Sequence, residues 1–89
     1  MRVRFADFVF DRERRELTRS GEPLHLTPKA FDLLAYLIER RPAAVSQEEL
    51  FDLLWPDTLV DTSRIHQLVK EIRGAIGDDA RRVLRTIHG

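Results

Sequence analysis

Polar and apolar positions divide the chain near residue 26. Before that point the apolar residues fall in short β-prone stretches. Val3-Arg4-Phe5 and Phe8-Val9-Phe10 flank Ala6-Asp7; Glu16-Leu17-Thr18-Arg19 then leads through Ser20-Gly21 into Glu22-Pro23-Leu24-His25-Leu26. Gly21 suits a hairpin turn, because glycine tolerates the positive φ that such turns require. Pro23 cannot donate to a ladder and therefore belongs on an edge strand. The pattern predicts a small antiparallel sheet of three or four strands over residues 1–26.

Beyond residue 26 the apolar spacing becomes helical. Ala30, Phe31, Leu34, Leu37 and Ile38 form one stripe, with Thr27 as N-cap, Pro28 at the first helical position and Leu26 placed to staple to Phe31. This helix is expected to reach about Arg40, where Arg40-Arg41 complement the helix dipole and Pro42 blocks continuation. A capping box, Ser46 with Glu49, opens a second helix that ends near Leu54, before Trp55-Pro56; Val45 is its staple to Leu50. The third is expected over 61–76, from Asp61 to Gly77 at C′, with Val60 stapled to Ile65. Its apolar set is Ile65, Leu68, Val69, Ile72, Ala75 and Ile76. Arg82 to Ile87 reads as a strand and His88-Gly89 as the start of a turn. That strand either pairs with the N-terminal sheet or lacks its return strand in this chain.

Composition narrows the function classes. With 89 residues, 43% of them hydrophobic and 34% charged, the chain is of globular type and of single-domain size. Cysteine is absent, which excludes a disulfide framework, a thiolate metal site and a cysteine nucleophile. No run of about 18 apolar residues exists to span a membrane, and Met1-Arg2-Val3-Arg4 is no apolar signal core, so the expected compartment is the cytoplasm. Fifteen basic and fifteen acidic residues cancel. They are not evenly spread: residues 27–63 hold three bases against seven acids, and residues 64–89 hold six bases against three acids, with His66 and His88 in addition. The chain is neutral in sum but polarised along its length.

Projected at about 100° per residue, the third helix places Ser63, Gln67, Lys70 and Gly74 opposite its apolar stripe. Arg64 and Glu71 flank one side of that ridge; His66 and Arg73 flank the other. Short hydrogen-bonding groups bordered by cations suit a helix in a DNA major groove, where Gln67 can pair with adenine and Glu71 can accept from cytosine N4. A solvated helix face carries polar residues as well, and the face alone leaves both open. The order of elements adds weight: two helices joined by a short loop and followed by a strand entering a turn describe a helix-turn-helix with a wing.

At this point a family resemblance enters. Leu26-Thr27-Pro28-Lys29-Ala30-Phe31-Asp32-Leu33-Leu34, Val45-Ser46-Gln47-Glu48-Glu49-Leu50 with Trp55-Pro56, Gly77-Asp78-Asp79, and Leu84-Arg85-Thr86-Ile87-His88-Gly89 together resemble the OmpR/PhoB-type winged-helix DNA-binding domain. Phe5-Ala6-Asp7-Phe8-Val9-Phe10-Asp11 is similar to the opening of members that carry this domain at their N-terminus. The resemblance implies an α+β fold over 1–89: an N-terminal sheet over 1–26, a three-helix core over 27–77 and the start of a wing over 82–89. It implies a bacterial transcription regulator that binds double-stranded DNA sequence-specifically, with the third helix in the major groove and the wing near the minor groove. Ser63, Gln67 and Glu71 match base-facing positions. Arg64, His66, Lys70, Arg73 and Trp55 are the expected phosphate contacts, Trp55 being equally open to a role as core anchor. Arg85, Thr86 and His88 match wing contacts. The family also implies head-to-tail homodimers on DNA and RNA polymerase as a partner of the loop between the second and third helices. Two departures stand out: Glu71 occupies a position commonly basic in relatives, and the chain stops at Gly89, before an aromatic-bearing return strand, as expected of a truncated wing.

Two rival classes compete with this reading. An enzyme finds little support, since His25, His66 and His88 lie on a strand, a helix face and a turn, with no HExxH motif or carboxylate pair beside them. Ser46 and Ser63 suit caps better than nucleophiles. No cofactor or metal is expected. The stronger rival is a winged-helix protein-interaction module with weak or no DNA binding, favoured by the zero net charge and opposed by the basic C-terminal third.

Overall fold

A computed structural model describes residues 2–5, 7–41, 43–77, 84 and 87–88, the last two through their backbone alone. Four strands, β1 (Arg2–Phe5), β2 (Phe8–Asp11), β3 (Glu16–Arg19) and β4 (Glu22–Leu24), form an antiparallel sheet in sequence order. Val3 pairs with Phe10, Phe10 with Leu17 and Leu17 with Leu24, so one row of apolar side chains crosses all four strands and faces the core. Phe8, Phe10 and Leu17 are buried within it. The β3–β4 turn has positive φ at both Ser20 (51°) and Gly21 (85°), as a two-residue hairpin with primed geometry requires. Pro23 lies on β4, an edge strand, as expected.

Helix α1 (Pro28–Arg40) packs across this sheet, with the Phe31 ring stacked on Phe10 at 4.8 Å between centroids. The predicted stripe is buried, and Leu33 and Ala35 are buried with it. Arg41 N–H donates to the Leu37 carbonyl at the C-terminal end; Pro42, expected to stop the helix, lies outside the described residues. Helix α2 (Gln47–Leu54) begins at Ser46, whose Oγ accepts from Glu49 N–H at 3.1 Å. Only half of the expected capping box forms, because the Glu49 carboxylate turns to α1 instead. It accepts from Tyr36 Oη and lies 3.5 Å from Arg40 Nη2. That carboxylate pushes the Tyr36 hydroxyl above the usual tyrosine range.

Helix α3 (Ser63–Ile76) completes the core with Ile65, Leu68, Ile72 and Ile76, while Val69 and Ala75 pack at its margin. Gly77 ends it with a φ of 63°.

The C-terminal expectation needs correction. Leu84, placed in a strand by its neighbours' composition, is helical and buried with the core residues. Ile87–His88 (β6) pairs parallel with Val45–Ser46 (β5), not with the N-terminal sheet. Ser46 thus serves both as strand residue and as the cap of α2. Residues 78–83, 85, 86 and 89 lie outside the described residues, and the expected wing contacts Arg85 and Thr86 with them.

Candidate nucleic-acid interface

Helix α3 starts where Asp61 can hold it. The Asp61 carboxylate accepts from Ser63 N–H at 3.2 Å and from Thr62 Oγ1 at 3.3 Å, and its carbonyl accepts from Arg64 N–H at 3.0 Å. Asp61 thus holds the start of the helix, but the cap position falls on Thr62, which makes no side-chain cap bond, and regular helix begins two residues later than the predicted span. From this fixed start, burial of Ile65, Leu68, Ile72 and Ile76 sets the roll of the helix about its axis.

With that roll, Ser63, Arg64, His66, Gln67, Lys70, Arg73 and Gly74 are all exposed, so the ridge projected from the sequence is assembled on one element. None of the side chains of Arg64, His66, Gln67, Lys70 and Arg73 has a hydrogen-bond or ion-pair partner among the described residues. Four arginines elsewhere are paired, Arg12 with Glu39, Arg15 with Asp32 at 3.0 Å, Arg19 with Asp7 at 3.1 Å and Arg40 with Glu49, whereas the side chains of Arg2, Arg4, Arg14 and Arg41 are as unpartnered among the described residues as those of α3. The Arg19 guanidinium holds the Asp7 carboxyl below the usual carboxylate range.

Glu71, expected to read bases, is occupied otherwise. Its Oε2 accepts from Thr27 N–H at 2.6 Å and its Oε1 from Thr27 Oγ1 at 2.9 Å. Thr27, expected to cap α1 with its hydroxyl, makes no such bond to its own helix. The cause is local. A capping box needs Glu or Gln at the third helical position to accept from the cap residue's N–H, and α1 has the buried Ala30 there. The donor left open is satisfied by a carboxylate from α3. A helix N-cap Thr lacking an acid three residues on was the one signal for this tie available in the sequence.

Trp55 is partly buried against the core, where the anchor alternative places it; its ring centroid is 6.1 Å from that of Phe51, and Lys29 Nζ lies 5.6 Å above it. Lys29 also donates to the Leu54 carbonyl, capping the C-terminal end of α2, a role no spacing suggested. The loop from Trp55 to α3 carries Leu59 fully exposed at 102%, beside a shallow groove lined by Phe51, Asp52 and residues 55–60. His88 is placed by its backbone beside Ser46. His25, expected on a strand, is exposed in the connection between β4 and α1, and His66 is exposed on α3. Among the described residues no group of three or more His, Asp or Glu could hold a metal ion, and no helix is long and apolar enough to cross a membrane.

Residues 21–89 match the family model described as transcriptional regulatory protein, C terminal. The chain is 31% identical over 88 residues to the transcriptional regulatory protein TrcR of Mycobacterium tuberculosis, an alignment covering 98% of this chain and 34% of that protein. It thus spans about a third of the length of that relative. Among solved structures, the Thermotoga maritima response regulator DrrB, an OmpR/PhoB homologue, superposes with a TM-score of 0.81 at 30% identity, over 91% of this chain and 37% of that one. The DNA-binding domain of CpxR from E. coli superposes with a TM-score of 0.74 at 25% identity, over 88% and 78% of the two chains. Sheet, three helices and an exposed polar third helix thus fall on one known architecture, and the chain belongs to the OmpR/PhoB-type family of winged-helix domains of transcriptional regulatory proteins.

Proposed function

We propose that this chain binds double-stranded DNA sequence-specifically as part of a cytoplasmic bacterial transcription regulator, with α3 in the major groove and the segment after Gly77 at the adjacent minor groove. The observation that carries the reading is the exposed ridge of α3, where Arg64, His66, Lys70 and Arg73, unpartnered among the described residues, border Ser63 and Gln67 on one helix face. Unpaired cations beside an amide suit phosphates flanking a base edge. Ser63 and Gln67 are the base-reading candidates, Gln67 being able to bind adenine N6 and N7 together. Arg64, His66, Lys70 and Arg73 are the phosphate contacts on α3, with Trp55 at the end of α2, and Arg85, Thr86 and His88 follow as wing contacts. The relatives' names support the regulator part of this reading.

Fluorescence anisotropy over a salt series, with duplexes selected by the chain from a random pool and with scrambled controls, tests it. Lys70→Ala and Arg73→Ala weaken binding to every duplex alike and reduce the salt slope by about 0.9 each. Gln67→Ala instead flattens preference at one base pair, by about 1–3 kcal/mol. Equal effects of all three changes on all sequences defeat the base-reading assignment.

Leu59 favours a second, compatible contact. A fully exposed leucine beside Asp57 and the groove at Trp55 offers a protein such as RNA polymerase an apolar anchor. Leu59→Ser is expected to leave DNA affinity unchanged and to lower activated transcription in a reconstituted assay. Head-to-tail dimerisation on direct-repeat sites belongs to the same proposal, read as cooperative binding to two half-sites.

A further inference from the structure

We propose that Glu71 is a positioning residue for α3, accepting from the cap residue of α1 in the place an acid of that helix's own first turn would take, and is not a reader of bases. The role rests on the DNA-binding reading above. Two acceptors of one carboxylate meet two donors of one residue: Thr27 N–H at 2.6 Å and Thr27 Oγ1 at 2.9 Å, across 44 residues of sequence. The donors are fixed in space because Thr27 is extended and Pro28 follows it at the first position of α1. The acceptor is fixed because Glu71 lies one residue before Ile72, which is fully buried. Three effects favour the same geometry. The Thr27 N–H would otherwise be an orphan, since Ala30 stands where an acid would accept from it. A carboxylate at the N-terminus of α1 meets the positive end of that helix's dipole. A bond to an ionised acceptor is also stronger than a neutral one.

The consequence for α3 is directional. Glu71 lies one turn after Gln67 and immediately after Lys70, at the edge of the ridge. Tied to Thr27, its negative charge is drawn toward α1, away from the line of Ser63, Gln67 and Lys70. Untied, the same carboxylate is free to swing beside Gln67 and repel phosphate oxygens. The tie also resists rotation of α3 about its axis, which its apolar stripe alone restrains through smooth side-chain packing.

Thermal melting and anisotropy on Thr27→Val, Glu71→Gln, Glu71→Ala and the Thr27→Val/Glu71→Ala pair test this. Glu71→Ala is expected to lower the melting midpoint by about 4–8 °C. Thr27→Val lowers it less, because the backbone N–H still donates, and the pair falls no further than Glu71→Ala alone. Measured well below every midpoint, Glu71→Ala and Thr27→Val each weaken binding to the selected duplex by about fivefold to tenfold, with the preferred bases unchanged. Glu71→Gln, which keeps an acceptor, falls between Glu71→Ala and the parent chain. Affinity of Glu71→Ala for scrambled duplexes does not fall. A Glu71→Ala variant that changes which base is preferred at one position, while Thr27→Val does not, makes Glu71 a base reader and overturns the proposal. So do additive losses in the pair, or a Glu71→Ala variant that matches the parent chain in both melting and binding. A parent chain that binds no duplex even at low salt defeats the DNA reading itself and this role with it, whatever the melting cycle shows.

Discussion

Helices α1 and α3 are nearly equal in length, thirteen and fourteen residues, and pack against each other, yet they bury seven and four residues respectively. Helix α1 is enclosed by the sheet on one side and by the other helices on another. Three arginines beside it meet carboxylates, Arg12 at Glu39, Arg15 at Asp32 and Arg40 at Glu49, and Lys29 is tied to the Leu54 carbonyl, while the Arg41 side chain at its end has no partner among the described residues. Helix α3 spends one stripe on the core and leaves the remainder of its surface to solvent, with cations that have no carboxylate partner among the described residues. A helix enclosed on two sides is a scaffold. A helix anchored by one stripe, with basic side chains along its open face, leaves a surface on which a partner can be tested.

If both stripes are equally part of one core, truncating either must cost the same order of stability. Leu34 of α1 and Ile72 of α3 are both fully buried, so Leu34→Ala and Ile72→Ala are each expected to cost about 2–5 kcal/mol by chemical denaturation. An Ile72→Ala loss well under 1 kcal/mol would mean that α3 is docked loosely, and the contrast with α1 would then be one of order, not of exposure.

Smaller effects sharpen the contrast in charge. The Arg15 guanidinium bonds Asp32 and the Pro28 carbonyl and lies 4.5 Å from the Phe31 ring centroid. Because the pair is about half exposed, screening leaves it little worth; with the ring contact, Arg15→Ala is expected to cost about 1 kcal/mol. Arg73→Ala removes no contact within the described fold and should change stability by less than about 0.5 kcal/mol while weakening DNA binding. Equal losses of stability from the two changes would show that Arg73 has a structural partner and remove it from the interface.

Most of this contrast was legible in the sequence, because it rests on local periodicity. The strands over Phe8–Asp11 and Glu16–Arg19, the stripe of α1, the Ser46 cap and the polar ridge of α3 all follow from neighbours within one turn or one strand. Features that depend on distant partners were not legible. The parallel pairing of Val45–Ser46 with Ile87–His88 is two residues long and carries no pattern of its own. Leu84 sits among Val83 and Thr86, residues typical of strands, yet is helical and joins the core, tertiary burial overriding local preference. The Glu71 carboxylate had two chemically sound destinations, a cytosine and a vacant helix cap, and spacing along α3 could not choose between them.

A gain in stability, where every other change brings a loss or none, separates a face that is used from one that is merely wet. Gly74 lies on the ridge of α3 in line with Ser63, Gln67 and Lys70, and a Cβ built there meets no heavy atom within 4 Å. A glycine inside a helix costs stability through the freedom it has when unfolded, so Gly74→Ala is expected to raise stability by about 0.5–1 kcal/mol, seen as a higher melting midpoint. The added methyl projects from the same ridge that the DNA reading lays against a duplex. Close approach of a sugar-phosphate backbone there makes the methyl an obstruction, so affinity should fall in the variant that melts later. The two readouts then move in opposite directions, which no loss of folding can imitate. A Gly74→Ala chain that gains stability and binds DNA as tightly as its parent would place the duplex nearer the N-terminal half of α3, around Ser63 and Gln67, and leave the last turn of the helix to solvent.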